Sequence, residues 1–491
     1  MQLTLALSIL LAQVFLAVNA SPLLRRNSKL LSLPLRRYEH ATDLPAQLKL
    51  QQHINRGLHR LARMTGGEVP SRRELEENLE RRVLAVEGPE GFERRFNRRA
   101  PIDESDEVDL EKRYNRIGVP KPASPQGNTL AAVKGGKGQA AVQKTPVAAA
   151  NAPTADNSLG LDIQAQDTSY LATIQIGTPP RDFSILMDSG SADFWVGSEA
   201  CQSQNGGGCG NHLFLGTQSS SSFVDSGDQF QVTYGTGAVQ GTIIQDDISI
   251  AGLALKGHTF GVADVESQQF SSNAVPFDGL MGLAQSTLSE QQTLTPPEAL
   301  TKAGLTQSSV VAYKISRLED NKNDGEITFG GLDATKFDLK TLTTVPNVSK
   351  KGFWEANLDA VTVDGQDLAL QGRTAILDTG TTLAVLPEND AIAIHKLIPG
   401  AQSDGQGGFT VPCNSKTVVA LIFGGRSFAI DPRDIAFQPL NPRDPTGDCV
   451  SGIASGSVGG ANEWLVGDTF LKNAYFVTDV EKNTVALAQL V

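Results

Sequence analysis

Two segments of this chain end an apolar run with the same order of residue types. Phe183-Ser184-Ile185-Leu186-Met187 leads into Asp188-Ser189-Gly190-Ser191. Thr374-Ala375-Ile376-Leu377 leads into Asp378-Thr379-Gly380-Thr381. Each puts a carboxylate at the end of a strand-like run, followed by a hydroxyl, a glycine and a second hydroxyl. Two carboxylates in contact cannot both ionise cheaply, so they share a proton and can do acid–base work on water. The charged member polarises water while the neutral member donates to the oxygen under attack. Neither a metal nor a covalent intermediate is needed. Such a pair titrates as a unit, so which Asp is the base depends on the step. Gly190 and Gly380 allow the backbone to approach the carboxylates closely.

A second repeat supports the pairing. Leu280-Met281-Gly282 ends 94 residues after Asp188, and Leu465-Val466-Gly467 ends 89 residues after Asp378. Near-equal offsets imply two homologous lobes related by an approximate two-fold axis, with the Asp loops meeting at the interface. Asp225-Ser226-Gly227 repeats the triplet but only Phe223 and Val224 precede it, so it reads as a hairpin turn. Other chemistries lack their residues. The body has only His212, His258 and His395, with no His-Glu-x-x-His and no Cys/His cluster at metal-ligand spacing. There is no Gly-x-Ser-x-Gly elbow, and Gly206-Gly207-Gly208 lacks the Lys of a phosphate loop. Neither a metal nor a cofactor is expected.

The elements that must position these residues are mostly strands. Short apolar or alternating runs recur between Gly, Ser, Asn and Asp clusters, as in Tyr170–Ile176, Phe183–Met187, Phe230–Thr233, Gly241–Ile250, Val310–Ile315 and Thr374–Leu377. The body from about residue 160 is long enough for two lobes within the 491 residues. Residues 1–150 carry a net charge of +8 and residues 151–491 a net of −20. The acidic body argues against a nucleic-acid partner.

The front of the chain reads as targeting and processing sequence. Residues 1–20 have the apolar run and small Ala20 of a secretory leader, although the n-region has no Lys or Arg. The run is short for a membrane span, so no stable anchor is expected. Residues 21–113 form a basic pro-segment with seven basic pairs, including Arg72-Arg73, Arg81-Arg82, Arg94-Arg95 and Lys112-Arg113. Most such pairs read as solvated helix faces, and Lys112-Arg113 is the best processing candidate. Leu44–Met64 and Arg72–Val86 have the spacing of amphipathic helices. Residues 114–160 read as a flexible linker or pro-segment end, rich in Ala, Gly, Pro and Lys.

Taken with Tyr234-Gly235-Thr236-Gly237, Phe277-Asp278-Gly279-Leu280-Met281-Gly282 and Trp464-Leu465-Val466-Gly467-Asp468, the two Asp motifs make the stretch from Tyr170 to Val491 resemble the pepsin family of aspartic peptidases. Its secreted fungal members are the nearer match. The resemblance implies a mainly β, bilobal fold, with an N-terminal lobe at 161–345, a C-terminal lobe at 346–491 and the cleft between them. It implies that Asp188 and Asp378 form the catalytic dyad of an endopeptidase. Ser189 and Thr379 would brace the two loops, and Ser191 and Thr381 would bond the outer carboxylate oxygens. Tyr234, Gly235, Thr236 and Gly237 would form a flap over the substrate, with Trp195 packed near Tyr234 and taking a hydrogen bond from its hydroxyl. Cys201–Cys209 and Cys413–Cys449 would be bridged, and Asn347-Val348-Ser349 has the form of a glycan acceptor. Ser189 stands where many relatives have Thr, Ala192 where Ser is common, and Asp193 where Asn is common. The last adds a charge near the catalytic loop. Neutral Thr236 favours Phe or Leu around the cleaved bond.

These features point to a secreted, monomeric peptidase of protein or peptide substrates, with its own pro-segment as intramolecular inhibitor. A non-catalytic protein of the same fold would be expected to lack one Asp. A glycosidase finds no support in the flap or the Asp repeat. Many weak ion pairs between basic front and acidic body would hold the precursor shut at neutral pH. Acid, or added salt, would loosen them.

Overall fold

The computed structural model describes residues 31–33, 36–37, 44–96, 170–235, 237–273, 275–320, 322–456 and 462–491. The leader at 1–20, the linker at 114–160, the Lys112-Arg113 pair and Thr236 lie outside the described residues.

The Asp188 motif ends strand Arg181–Asp188, in which Phe183, Ile185 and Met187 are buried. That spacing of two is the strand signature, and it turns the β-branched and aromatic side chains into one core. The strand pairs antiparallel with Tyr170–Ile176 and parallel with Gly279–Gly282, so Gly282 lies beside Asp188. Gly279–Gly282 also runs antiparallel to Phe194–Ser203, with Leu280 opposite Trp195. The second motif repeats this wiring. Arg373–Leu377 pairs parallel with Glu463–Val466, which runs antiparallel to Ala384–Leu386. The apolar-apolar-Gly repeat therefore marks the strand inserted between the Asp strand and the strand after it. Its glycine is needed because backbone passes close by. A Cβ on Gly282 would lie 2.5 Å from Asp193 N, and one on Gly467 would collide with Thr381 O.

The first half of the body supplies eight strands of a nine-stranded sheet, whose edge strand Arg36–Arg37 comes from the front of the chain, and the second half builds sheets of five, four and four strands. A six-stranded sheet joins them, in the order Leu31–Leu33, Glu326–Phe329, Val310–Lys314, Tyr475–Asp479, Thr484–Ala488, Thr343–Pro346. Its first edge strand comes from the basic front of the chain. Asp225-Ser226-Gly227 is not a hairpin turn. It sits at a register shift inside strand Val224–Thr233, where Gly227 at φ 80° donates its N–H to Asp225 Oδ1 at 2.7 Å. An exposed bulge accommodates the triplet without a core run before it. Two disulfides are formed, Cys201–Cys209 and Cys413–Cys449.

Among the described residues the front forms α1 (Ala46–Thr65) and α2 (Arg72–Phe96). Leu50, Ile54, Leu61 and Met64 make one apolar face of α1. Gly66 at φ 76° ends it in the left-handed cap, donating its N–H to Ala62 O. Ser71 and Glu74 start α2 with a reciprocal capping box. The helical conformation breaks at Gly88 (φ 70°, ψ −176°), two residues past the expected Val86, and a second helical stretch follows over 89–96. Among the described residues no helix is long and apolar enough to cross a membrane.

Candidate active site

The two Asp loops meet across an approximate two-fold axis. Ser189 N donates to Thr379 Oγ1 at 2.9 Å, and Thr379 N donates to Ser189 Oγ at 2.9 Å. Each hydroxyl then donates across the interface, Ser189 Oγ to Leu377 O at 3.0 Å and Thr379 Oγ1 to Met187 O at 2.9 Å. All of these groups are buried, so the four bonds fix the loops against each other without competition from water. A Ser and a Thr serve equally here because only the hydroxyl is used.

The carboxylates are held the same way. Gly190 N donates to Asp188 Oδ1 at 2.9 Å and Ser191 Oγ to Asp188 Oδ2 at 2.6 Å. Gly380 N donates to Asp378 Oδ1 at 2.9 Å and Thr381 Oγ1 to Asp378 Oδ2 at 2.7 Å. The glycines are required by space. A Cβ on Gly190 would come within 2.5 Å of Asp378 Oδ1, and one on Gly380 would strike Asp188 Oδ1. Both Asp side chains are fully buried. Burial, with Asp188 beside it, raises Asp378 well above the ordinary carboxyl range, although Arg60 pulls the other way.

Tyr234 closes the site from above. Strands Val224–Thr233 and Ala238–Ile250 carry it at the hairpin tip, where Tyr234 N donates to Gly237 O at 2.6 Å. Trp195 lies against it, but the hydrogen bond runs opposite to expectation: Trp195 Nε1 donates to Tyr234 Oη at 2.8 Å. An indole N–H is a donor only, so no other direction is available. Phe270 completes an aromatic cluster with both rings.

Asp193 is buried and used structurally, its Oδ1 accepting from Ser289 Oγ at 2.9 Å and Gln291 N at 3.0 Å. Burial raises its carboxyl. Asn347 is also buried, with Nδ2 donating to Asn483 Oδ1 at 2.9 Å. The one grouping of potential metal ligands among the described residues is Cys201, Cys209 and Glu266. The cysteines are bridged and have no thiolate to offer.

Sequence reasoning missed the group at the centre of the cleft. Arg60 of α1 lies between the two carboxylates. Its Nη2 donates to Asp188 Oδ1, its Nε lies 2.5 Å from Asp378 Oδ2, and its Nη1 donates to Gly380 O at 3.3 Å. Burial disfavours its charge, but the two carboxylates outweigh that and raise it. At the flap tip α1 is so close that a Cβ on Gly235 would lie 2.5 Å from Arg56 O. A second cation, Arg82 of α2, is also buried, contrary to a solvated face. Its Nη1 pairs with Asp404, its Nη2 donates to Gln406 O at 3.1 Å, and its Nε donates to Gln51 Oε1 at 2.8 Å. The signal for Arg60 was a cation beside the apolar stripe of α1, next to Gly57. Nothing local distinguishes Arg82 from its neighbours.

Comparison with known proteins agrees with this geometry. The family described as eukaryotic aspartyl protease matches residues 169–490. A probable aspartic-type endopeptidase CTSD of Arthroderma benhamiae is 35% identical over 372 residues, covering 76% of this chain and 70% of its own length. Rhizopuspepsin of Rhizopus chinensis is 33% identical, covering 63% of this chain and 76% of its own. Pepsin A of Canis lupus familiaris is 31% identical, covering 66% and 81%. The chain belongs to the eukaryotic aspartyl protease family, as an aspartic-type endopeptidase of mainly β, bilobal pepsin-like fold.

Proposed function

We propose that the chain is the precursor of a secreted endopeptidase that stays shut until acid releases α1 from the cleft, and that Asp188 and Asp378 then activate water. The observation that carries this is the mirrored wiring of the two carboxylates around Arg60. With Arg60 gone, the pair keeps one proton. The charged Asp takes a proton from water as its oxygen attacks the peptide carbonyl carbon, and the neutral Asp gives its proton to the carbonyl oxygen. The tetrahedral diol collapses when the amide nitrogen receives a proton and the C–N bond breaks. One acid and one amine leave, and the pair again holds one proton. Tyr234 and the flap exclude water and align the peptide.

Acid favours this opening by linkage. Arg60 holds Asp378 below the value it takes in an empty cleft. Docking of α1 is therefore strongest when the pair is fully ionised and is lost as protons return. Residues 1–20 and two disulfides fit an oxidising, extracellular destination. The lobes at 161–345 and 346–491, the monomeric state and the preference for Phe or Leu around the cleaved bond belong to the same reading. The test is to hold purified precursor at pH 7 and at about pH 3–4, with and without pepstatin. Acid should give pepstatin-sensitive cleavage within 21–156 and peptide turnover, and a chelator should not matter. Full activity at pH 7 with the pro-segment intact would overturn it.

A further inference from the structure

Beside the dyad the docked pro-segment leaves a cavity of about 360 Å³ between the flap strand, the loop after Asp188 and the loop after Gly282. Its walls include Tyr234, Asp193, Leu288, Glu290, Lys351 and Phe353. Three residues of α1 line it, Arg60, Arg63 and Met64. Met64 packs with Phe353 and Leu288. Arg63 donates to Thr233 O of the flap strand. Partial burial lowers Arg63, and Glu290 acts against that by favouring its charge.

Of the two acids in the wall, only one can receive a ligand. Asp193 is buried and its Oδ1 is committed to Ser289 and Gln291. Glu290 is exposed and its side chain makes no hydrogen bond or ion pair among the described residues. Lys351 lines the same cavity, with Nζ resting against Gly66 at the C-terminal end of α1, where a cation suits the helix dipole. When α1 leaves, the pocket keeps an apolar floor, a flap carbonyl and one available carboxylate.

We propose that this pocket is a substrate subsite selecting Lys or Arg, with Glu290 as its specificity-determining residue and Arg63 as its occupant in the precursor. The inference rests on the peptidase reading above and adds the class of side chain taken at one position. Arg60 marks the scissile centre, and Arg63 lies three residues on, about 4.5 Å along a helix. A helix is not an extended strand, so the chemistry of the walls carries over and the register does not. Apolar preference around the cleaved bond and a basic preference beyond it are compatible, because they arise at different walls.

The experiment is a matched-peptide ratio on the acid-released enzyme. An unbiased peptide library first locates any position enriched in Lys or Arg. Two peptides differing only there, Lys against Gln, are then compared by kcat/KM at about pH 5 and low salt. The ratio is internal to one preparation, so a partly folded variant does not distort it. The wild type should prefer Lys about 3–5-fold, the size of one partly screened ion pair. Glu290→Gln should bring the ratio to about 1, Lys351→Gln should raise it, and high salt should lower the wild-type ratio. A wild-type ratio of 1, or a preference untouched by Glu290→Gln, overturns the subsite while leaving the peptidase reading in place. Failure to cleave any library peptide, with or without the pro-segment, overturns both.

Discussion

The two halves of the body meet α1 with different forces. The second half meets it with apolar side chains: Ile376, Leu383, Val385, Val450 and Leu465 pack against Leu50, Ile54, Leu61 and Met64. The cleft and the first half meet it mainly with polar groups, Leu288 against Met64 being an apolar contact of the first half. Asp188 and Asp378 take Arg60, and the Thr233 carbonyl takes Arg63. Protons act on the second kind of contact and leave the first alone. A precursor held in both ways can be unlocked by acid without losing the surface that guides the helix into place. At the loops themselves the halves do not differ, since each hydrogen bond that the loop gives the Asp188 carboxylate has a counterpart at Asp378.

That equality gives the largest expected effect. Asp188→Asn and Asp378→Asn should each lower kcat/KM on a Phe- or Leu-flanked peptide by at least about 10²–10⁴-fold, because neither carboxylate alone fills both proton roles. Pepstatin binding and thermal unfolding report whether the variants stay folded. One variant keeping a tenth of the activity would break the symmetry of the pair.

Next in size is the contrast between two neighbouring residues of α1. Arg60→Met removes the charge and keeps the length, so the rate of pro-segment release should become nearly independent of pH between 3 and 7. Breaking so buried a pair costs about 3–5 kcal/mol, and release at pH 7 should rise by two or more orders of magnitude. Leu61→Ala weakens the apolar side by about 2–5 kcal/mol at every pH. It should speed release throughout and leave the pH dependence as steep as in the wild type. Release is followed by new N-termini after a pH jump. The two variants behaving alike would mean that the two sides of α1 are not separable.

The two Asp loops were legible in sequence because the residues that bond each carboxylate are local. Asp188 and Asp378 each carry their own hydroxyls and glycine within three residues, and the strand before each announces its place. Arg60 was not, because α1 also holds Lys49, Arg56 and Arg63. Which cation meets the carboxylates depends on how the apolar stripe docks, and that is set by residues more than 300 positions away. Arg82 shows the same limit, since Asp404 and Gln406 bury it from the far end of the chain. The direction of the Trp195–Tyr234 bond was legible in principle, since an indole has only a proton to give.

Buried carboxyls sharpen the comparison in a second way. Asp434 would be raised by burial, but Lys472 and Arg317 hold it below the ordinary range. Glu266, at the end of strand Leu253–Glu266, has no such partner for Oε2, and burial pushes it up to about 8. A raised acid stabilises the fold fully below its unfolded value, 4.5, and that contribution is lost as pH rises towards 8. At pH 7 the loss approaches about 3 kcal/mol. Glu266→Gln should therefore flatten the decline in melting temperature between pH 4 and 8. An Asp188→Asn background prevents self-cleavage during the melts. An equally steep decline in Glu266→Gln would place the sensitivity elsewhere.

The smallest expected effect is that of salt, and it reverses what the charge split of the sequence implies. A field of exposed ion pairs would weaken steadily with ionic strength, since the Debye length falls from about 10 Å at 0.1 M to 3 Å at 1 M. The described contacts of α1 and α2 with the body are of another kind. The Arg60 side chain is 14% exposed and its carboxylates 0%, and Arg82 is 3% exposed against 25% for its partner Asp404. Counter-ions have little access to the Arg60 lock, and the apolar side of α1 tightens rather than loosens in salt. The exposed pairs of α2, Arg73–Glu77 and Arg95–Glu87, lie within the helix and tie nothing to the body. Raising NaCl from 0.1 to 1 M at pH 7 should therefore change the rate of pro-segment release less than about twofold. The same step in Leu61→Ala should stay as small, because the polar lock that remains is screened from solvent. Release accelerating tenfold in 1 M NaCl would mean that the precursor is held by its surface charge after all.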